Sequence, residues 1–214
     1  MNKETFKTTF LNKGKKLLKL LKKDFFKFLF KIFELGCIFI CLCLFLNWSN
    51  DSLIVTEDSY INENIPNDFN NYKILQISDF NNKKSLSKDL IKETKKINPD
   101  IIVITGDYIN SERSTEYNID YSYFEDLAKS YPIYFIAGDQ EHDNKNYEIF
   151  KTKIEELGVN VLDNKSIELT KNDSIINLIG LNDSSFLYEN LNAFNNQLKE
   201  LYNSNNFTIL LSHR

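Results

Sequence analysis

The sequence predicts an α/β domain built on a parallel sheet and preceded by an N-terminal transmembrane helix. Three observations predict it. From residue 72 onward strand-like and helix-like segments alternate, the pattern of parallel strands joined by helical crossovers. Several of the apolar runs stop abruptly on Asp or His. Upstream, an apolar stretch from Phe25 to Trp48 follows a lysine-rich segment.

The N-terminal segment comes first. Residues 1 to 34 carry ten Lys against Glu4, Asp24 and Glu34, so this part is strongly basic inside a chain of net charge -4, and the remainder is acidic. Residues 1–24 are expected to form a basic cytoplasmic segment, with Lys19, Lys23, Lys27 and Lys31 recurring every fourth residue as a stripe suited to anionic lipid. Residues 25–48 read as the anchor. "LGCIFICLCLFLNW" with "FFKFLFKIFE" before it reaches the roughly 20 residues a span needs, and Lys27 and Lys31 can snorkel toward the headgroups. The positive-inside bias then puts the N-terminus in the cytoplasm and the following domain outside the cell membrane, with membrane lipids as the partner of the anchor. A cleaved signal peptide and a helix lying flat at the interface are the alternatives, and no small-residue cleavage pattern follows the run.

With 214 residues and 42% hydrophobic content, the chain has room for one medium-sized domain. Gly (6) and Pro (3) are scarce, so tight turns must rely on Asn and Asp. An acidic body without a basic stripe leaves no surface for nucleic acid, which is set aside as a partner. Cys37, Cys41 and Cys43 all lie in the apolar run, so the downstream domain cannot depend on disulfides or thiolate metal sites.

Residues 49–70 read as a linker or a first edge strand, and 71–214 as the folded domain. Its elements follow in order: "YKILQIS" (72 to 78), a helix near 85 to 97, "DIIVIT" (100 to 105), a helix near 120 to 130, "PIYFIA" (132 to 137) and a helix near 145 to 157. "VNVLD", "SIELTK" and "SIINLIGL" are three short strands expected to build a second, β-rich sheet. A helix near 187 to 202 then leads to "FTILLS".

The residues that follow the strands are Ser78-Asp79, Gly106-Asp107, Gly138-Asp139 and Ser212-His213. In a parallel sheet the carboxyl ends share one edge, where open α/β folds place their ligands. One Asp after a strand is usually a turn residue or a helix cap. Four strand ends agreeing, two of them as Gly-Asp pairs that let backbones approach closely, point to a shared cation site.

In spacing and order these segments resemble the calcineurin-like metallophosphoesterase family, particularly its membrane-anchored bacterial branch, over residues 72 to 213. "ILQISDFN" is similar to the family's first motif (Asp-x-His), "PDIIVITGDYIN" to its second (Gly-Asp-x-x-Asp), "YFIAGDQE" to its third (Gly-Asn-His-Glu) and "TILLSHR" to the strand ending in a ligand His. The resemblance implies an α/β/β/α sandwich, a phosphoester substrate and two metal ions bridged by an Asp. Carried over by position, Asp79 would bind the first metal, Asp107 would bridge, and His213 would bind the second.

The departures from the motifs concern chemistry. Asn81 stands at the first motif's His and Asn110 at the second motif's closing Asp. Asp139 replaces a ligand Asn and remains able to coordinate. Gln140 occupies the catalytic His position, and an amide carries no proton at neutral pH; His142, two residues on, is a weak substitute. The sequence given ends at Arg214, before the Gly-His-x-His motif that completes both metal shells, so the sandwich is expected to be incomplete at its C-terminus. An oxygen-rich set (Asp79, Asp107, Asp139, Asn81) with His213 suits one hard ion such as Mn²⁺ or Mg²⁺ better than a metal pair. The expectation is a membrane-anchored metallophosphoesterase with a degenerate site. The alternatives are an inactive binding or scaffold relative, which needs no metal, and a fragment of a longer active enzyme.

Overall fold

A computed structural model describes residues 25–46, 53–112, 114–115, 117–183, 196, 198–202 and 205–214. The chain divides into two units, Met1–Ser52 and Leu53–Arg214. The first contains helix α1 (Phe25–Leu46), 22 residues long. Every residue of α1 is exposed, Phe, Leu and Ile included. A long apolar helix whose described residues are all exposed differs from a core helix, which is mostly buried. Its length and composition suit a membrane span and a signal sequence alike.

The second unit is layered. β1 (Ile74–Ile77), β2 (Ile101–Thr105), β3 (Ile133–Ile136) and β4 (Asn160–Val161) form a parallel sheet in that order. The crossovers contain α2 (Lys84–Ile97), α3 (Ser122–Leu127), the short α4 (Asp139–Asp143) and α5 (Tyr147–Glu156). β5 (Lys165–Lys171), β6 (Ser174–Gly180) and β7 (Phe207–Leu211) make a second sheet, β5 antiparallel and β7 parallel to β6.

β2 and β3 are buried on both faces, and side-chain alternation separates two cores. Ile102, Ile104, Ile133 and Phe135 face the helices, where they join Leu90, Tyr123, Phe124, Leu127, Phe150 and Ile154. Ile101, Val103, Tyr134 and Ile136 face the second sheet and meet Leu169, Ile176, Leu178 and Leu211. The helix–sheet–sheet order follows from continuous apolar runs in β2 and β3, since a strand polar on one side cannot sit between two layers.

Each predicted strand and helix from 72 to 157 is present, with α3 shorter than expected. One strand is placed differently. "VNVLD" belongs to the first sheet, where Asn160 and Val161 pair in parallel with Tyr134 and Phe135; the α5 crossover brings it there, and only "SIELTK" and "SIINLIGL" form the antiparallel hairpin. Among the described residues between 53 and β1 there is no strand: Asn67–Phe69 is a single 3-10 turn whose Phe69 is buried in the core between the sheets. The helix near 187 to 202 lies largely outside the described residues, of which 196 and 198–201 are helical.

Scarce glycine has a visible consequence. Among the described residues, every non-glycine with positive φ is Asn or Asp: Asn71, Asp79, Asn81, Asn82, Asn98, Asp107, Asn164 and Asn172. Asn98 closes α2 in the left-handed conformation, its N–H donating to the Thr94 carbonyl. Three of these residues, Asp79, Asn81 and Asp107, lie just past β1 and β2, where no turn of a helix requires them.

Candidate metal centre

The carboxyl ends of β1, β2, β3 and β7 deliver Asp79, Asp107, Asp139 and His213 to one place. One ligand atom each from Asp79, Asp107 and His213 fall within 4.8 Å of one another. Asp139 adjoins them, its Oδ1 lying 3.2 Å from His213 Nε2, and Asp107 Oδ2 lies 3.5 Å from the same nitrogen. Asp79 and Asp107 both adopt φ 56, a conformation costly for any residue with a side chain but cheapest for Asn and Asp. Left-handed backbone at two converging acids directs both carboxylates inward from their strands, the kind of local cost that recurs at working sites.

The support around Asp107 is specific. Its Oδ1 accepts the backbone N–H of Gln140 at 3.1 Å. Glu141, fully buried, accepts three backbone N–H groups: Asp107 at 2.7 Å and Gly138 at 2.8 Å on Oε2, and Ile109 at 2.9 Å on Oε1. The loops after β2 and β3 are thereby tied through one carboxylate. A Cβ on Gly138 would stand 2.3 Å from Asp107 Oδ1, so the two loops approach as closely as they do only because that residue is glycine.

Electrostatics at the centre reflect crowded acids. Burial raises the Asp107 carboxyl above its ordinary value, and Asp139 and Asp79 add to this, against the Gln140 N–H and His213. Burial alone would lower His213, but its bond to the Thr105 carbonyl and the charges of Asp107, Asp79 and Asp139 outweigh it and raise the imidazole. Burial pushes the Glu141 carboxyl up to about 7 despite its three N–H donors, with Asp107 repelling it as well.

This donor set fits a divalent cation. His213 Nδ1 donates to the Thr105 carbonyl at 2.8 Å, so in the neutral ring Nε2 turns its lone pair toward the acids. A histidine whose far nitrogen is held by a carbonyl is the usual arrangement for a metal ligand. Two carboxylates and an imidazole within coordination range suit Mn²⁺, Zn²⁺ or Fe²⁺ and, with more water, Mg²⁺.

The remaining candidates are placed differently. Asn81 donates its amide to the Asp79 carbonyl at 3.0 Å, and its Oδ1 faces Asn110 Nδ2 at 3.5 Å. The Gln140 carbonyl oxygen accepts Ser111 N–H at 3.1 Å and Ser111 Oγ at 2.9 Å, which orients the amide at the rim of the centre. His142 lies on α4 with Nδ1 2.9 Å from Asp143 Oδ1, and it is not one of the three residues whose ligand atoms converge.

The sequence assigns no role to two buried acids near the centre, Glu141 and Asp183. Glu141 closes the segment "YFIAGDQE" at the Glu of the third motif, and it lies three residues after Gly138, the spacing at which a side chain reaches back to a helix N-cap. What each buried acid binds becomes visible only when backbone donors or a cationic partner arrive from another loop.

Acids from separate strand ends thus meet a histidine where a parallel sheet packs on a second sheet, an arrangement suited to a metal-binding hydrolase class. The chain belongs to the calcineurin-like phosphoesterase family, whose sequence model matches residues 72–214. It is similar to a protein of Campylobacter jejuni subsp. jejuni described as an uncharacterized metallophosphoesterase, with 26% identity over 188 residues, 86% of this chain and 49% of that protein. The chain therefore spans about half the length of this curated relative. A solved crystal structure superposes with a TM-score of 0.44 at 15% identity over 65% of this chain and 68% of the other, too distant to add to the fold described above.

Proposed function

We propose that this chain is a membrane-tethered, metal-dependent phosphoesterase domain that holds one divalent ion through Asp79, Asp107 and His213. The observation that carries the reading is the convergence of these three side chains from β1, β2 and β7. A divalent ion bound there supplies Lewis-acid charge for phosphoryl oxygens and makes a nearby water more acidic. The chain's own residues do the rest. Glu141 and Gly138 fix Asp107 so that no reorganisation is needed during reaction, His213 keeps its tautomer through Thr105, and Gln140 offers an oriented amide at the rim. Gln140 donates a hydrogen bond but no proton, so phosphoesters whose leaving group departs without protonation react best.

The apolar helix α1 tethers the domain, with the lysine-rich N-terminus on the cytoplasmic side and the phosphoesterase unit outside, close to substrates at the membrane surface. Release of phosphate from p-nitrophenyl phosphate by the full chain in detergent micelles, with metal content determined on the same sample, tests the function. The expected result is Mn²⁺-dependent turnover that Asp107→Asn abolishes. A preparation that binds no divalent ion and turns nothing over refutes it.

The amide at position 140 favours one second reading, a domain that binds a metal and a phosphorylated ligand without hydrolysing it. Stoichiometric metal with no turnover in the same assay selects that reading.

A further inference from the structure

Arg214 follows His213 and is held at two points. Its Nη2 lies 2.6 Å from Asp139 Oδ1 and its Nε 3.2 Å from Asp183 Oδ2. The Asp183 side chain is 1% exposed, and its backbone N–H donates to the Ala137 carbonyl at 2.9 Å, so the acid that anchors Arg214 is itself fixed beside the end of β3. The guanidinium thus reaches from a buried acid after β6 to the first residue of α4, across the face of the candidate metal centre.

The Asp139 oxygen engaged by Arg214 is the one that lies 3.2 Å from His213 Nε2. A divalent ion on that oxygen would sit a few ångströms from a guanidinium that keeps its proton under all ordinary conditions. Arg214 is 59% exposed and Asp139 30%, so solvent screens part of the repulsion between the two, and the remainder still disfavours placing both cations on one oxygen. The oxygen can serve one cation or the other.

We propose that Arg214 is the fixed second cation of a one-ion centre: it withholds Asp139 from metal coordination and offers its remaining N–H donors to a phosphoryl oxygen. The planar fork of donors suits that role, since phosphoryl oxygens are matched by parallel N–H groups. This inference rests on the metal-centre reading above and assigns a role that the ligand set alone does not.

The test is the number of Mn²⁺ ions per chain in the full-length protein at saturating metal, by equilibrium dialysis and elemental analysis, with thermal melts to verify folding. Wild type is expected to hold one ion and Arg214→Gln two, with Arg214→Gln/Asp139→Asn returning to one. Asp139→Asn alone should retain the single ion, and this variant keeps the proposal testable if Arg214→Gln fails to fold. The double variant, which preserves net charge and the one ion, should bind inorganic phosphate at least about tenfold more weakly than wild type. Two ions in wild type, an unchanged count in folded Arg214→Gln, loss of the ion in Asp139→Asn, or unaltered phosphate affinity in the double variant overturns the proposal while leaving a metal centre in place. No ion in wild type removes the metal-centre reading along with it.

Discussion

Glu141 Oε2 accepts the backbone N–H of Asp107 at 2.7 Å, joining a residue after β3 to one after β2 through a fully buried carboxylate. The same oxygen takes Gly138 and the other takes Ile109, so the position of Asp107 depends on an acid that is not among the converging ligands. Glu141→Gln retains shape but offers one accepting oxygen where three donors need two. At least one buried N–H loses its partner, at a cost of about 1–3 kcal/mol. Urea unfolding should show a lower midpoint with an unchanged slope, and the variant should bind metal more weakly although it removes no ligand.

Gly138 adopts φ -92, which any residue tolerates, so Gly138→Ala acts through collision alone. The added methyl would stand 2.3 Å from Asp107 Oδ1 and 2.8 Å from the Asp107 nitrogen. Relief requires the loops to separate, and overpacking of this kind costs about 1–3 kcal/mol. A drop in Mn²⁺ affinity of at least about tenfold, read by calorimetric titration, is expected along with the lowered stability.

The pH dependence of stability has an identifiable source away from the centre. At Asp120, burial works against ionisation, but the hydroxyls of Ser87 and Ser122 and the Ser122 N–H outweigh it and hold the carboxyl below its ordinary value of 3.8. A group depressed in the folded state contributes stability above its unfolded pKa and loses it as pH falls through the folded one. The stability difference between wild type and Asp120→Asn should therefore be constant from pH 5 to 7 and shrink only below about pH 4. Chemical unfolding at several pH values measures it.

Gln140→His would place a proton carrier where the amide now sits. General acid assistance is worth about 10²–10⁴ in rate, and it matters most for poor leaving groups. The variant should gain more on an alkyl phosphate than on p-nitrophenyl phosphate, which the ratio of the two kcat/KM values reveals. An equal change on both substrates would mean that protonation does not limit the native centre.

Helix α1 gives a prediction about processing. If it anchors the chain, the protein stays in the membrane fraction after alkaline carbonate extraction, and mass spectrometry finds residues 1 to 24 still attached. A soluble product beginning after the apolar run identifies a signal sequence instead.

Much of this was legible along the chain because it depends on local pattern. Continuous apolar runs at 101–105 and 133–136 dictate strands buried on both faces, and these force a layer on each side. The acids at 79, 107 and 139 and the histidine at 213 stand out because each interrupts such a run at its carboxyl end. Reliance on Asn and Asp for left-handed backbone follows from having six glycines in 214 residues.

Other features required the folded chain. Only two residues of "VNVLD" pair, too few for their alternation to name a sheet, and the α5 crossover decides that they join β3. The N–H groups of Asp107 and Ile109 gathered by Glu141, and the reach of Arg214 from Asp183 to Asp139, are relations between residues more than 30 positions apart. Periodicity reports what each segment buries. Which oxygen meets which nitrogen across two loops is set by the packing of whole layers, and a one-dimensional pattern does not contain it.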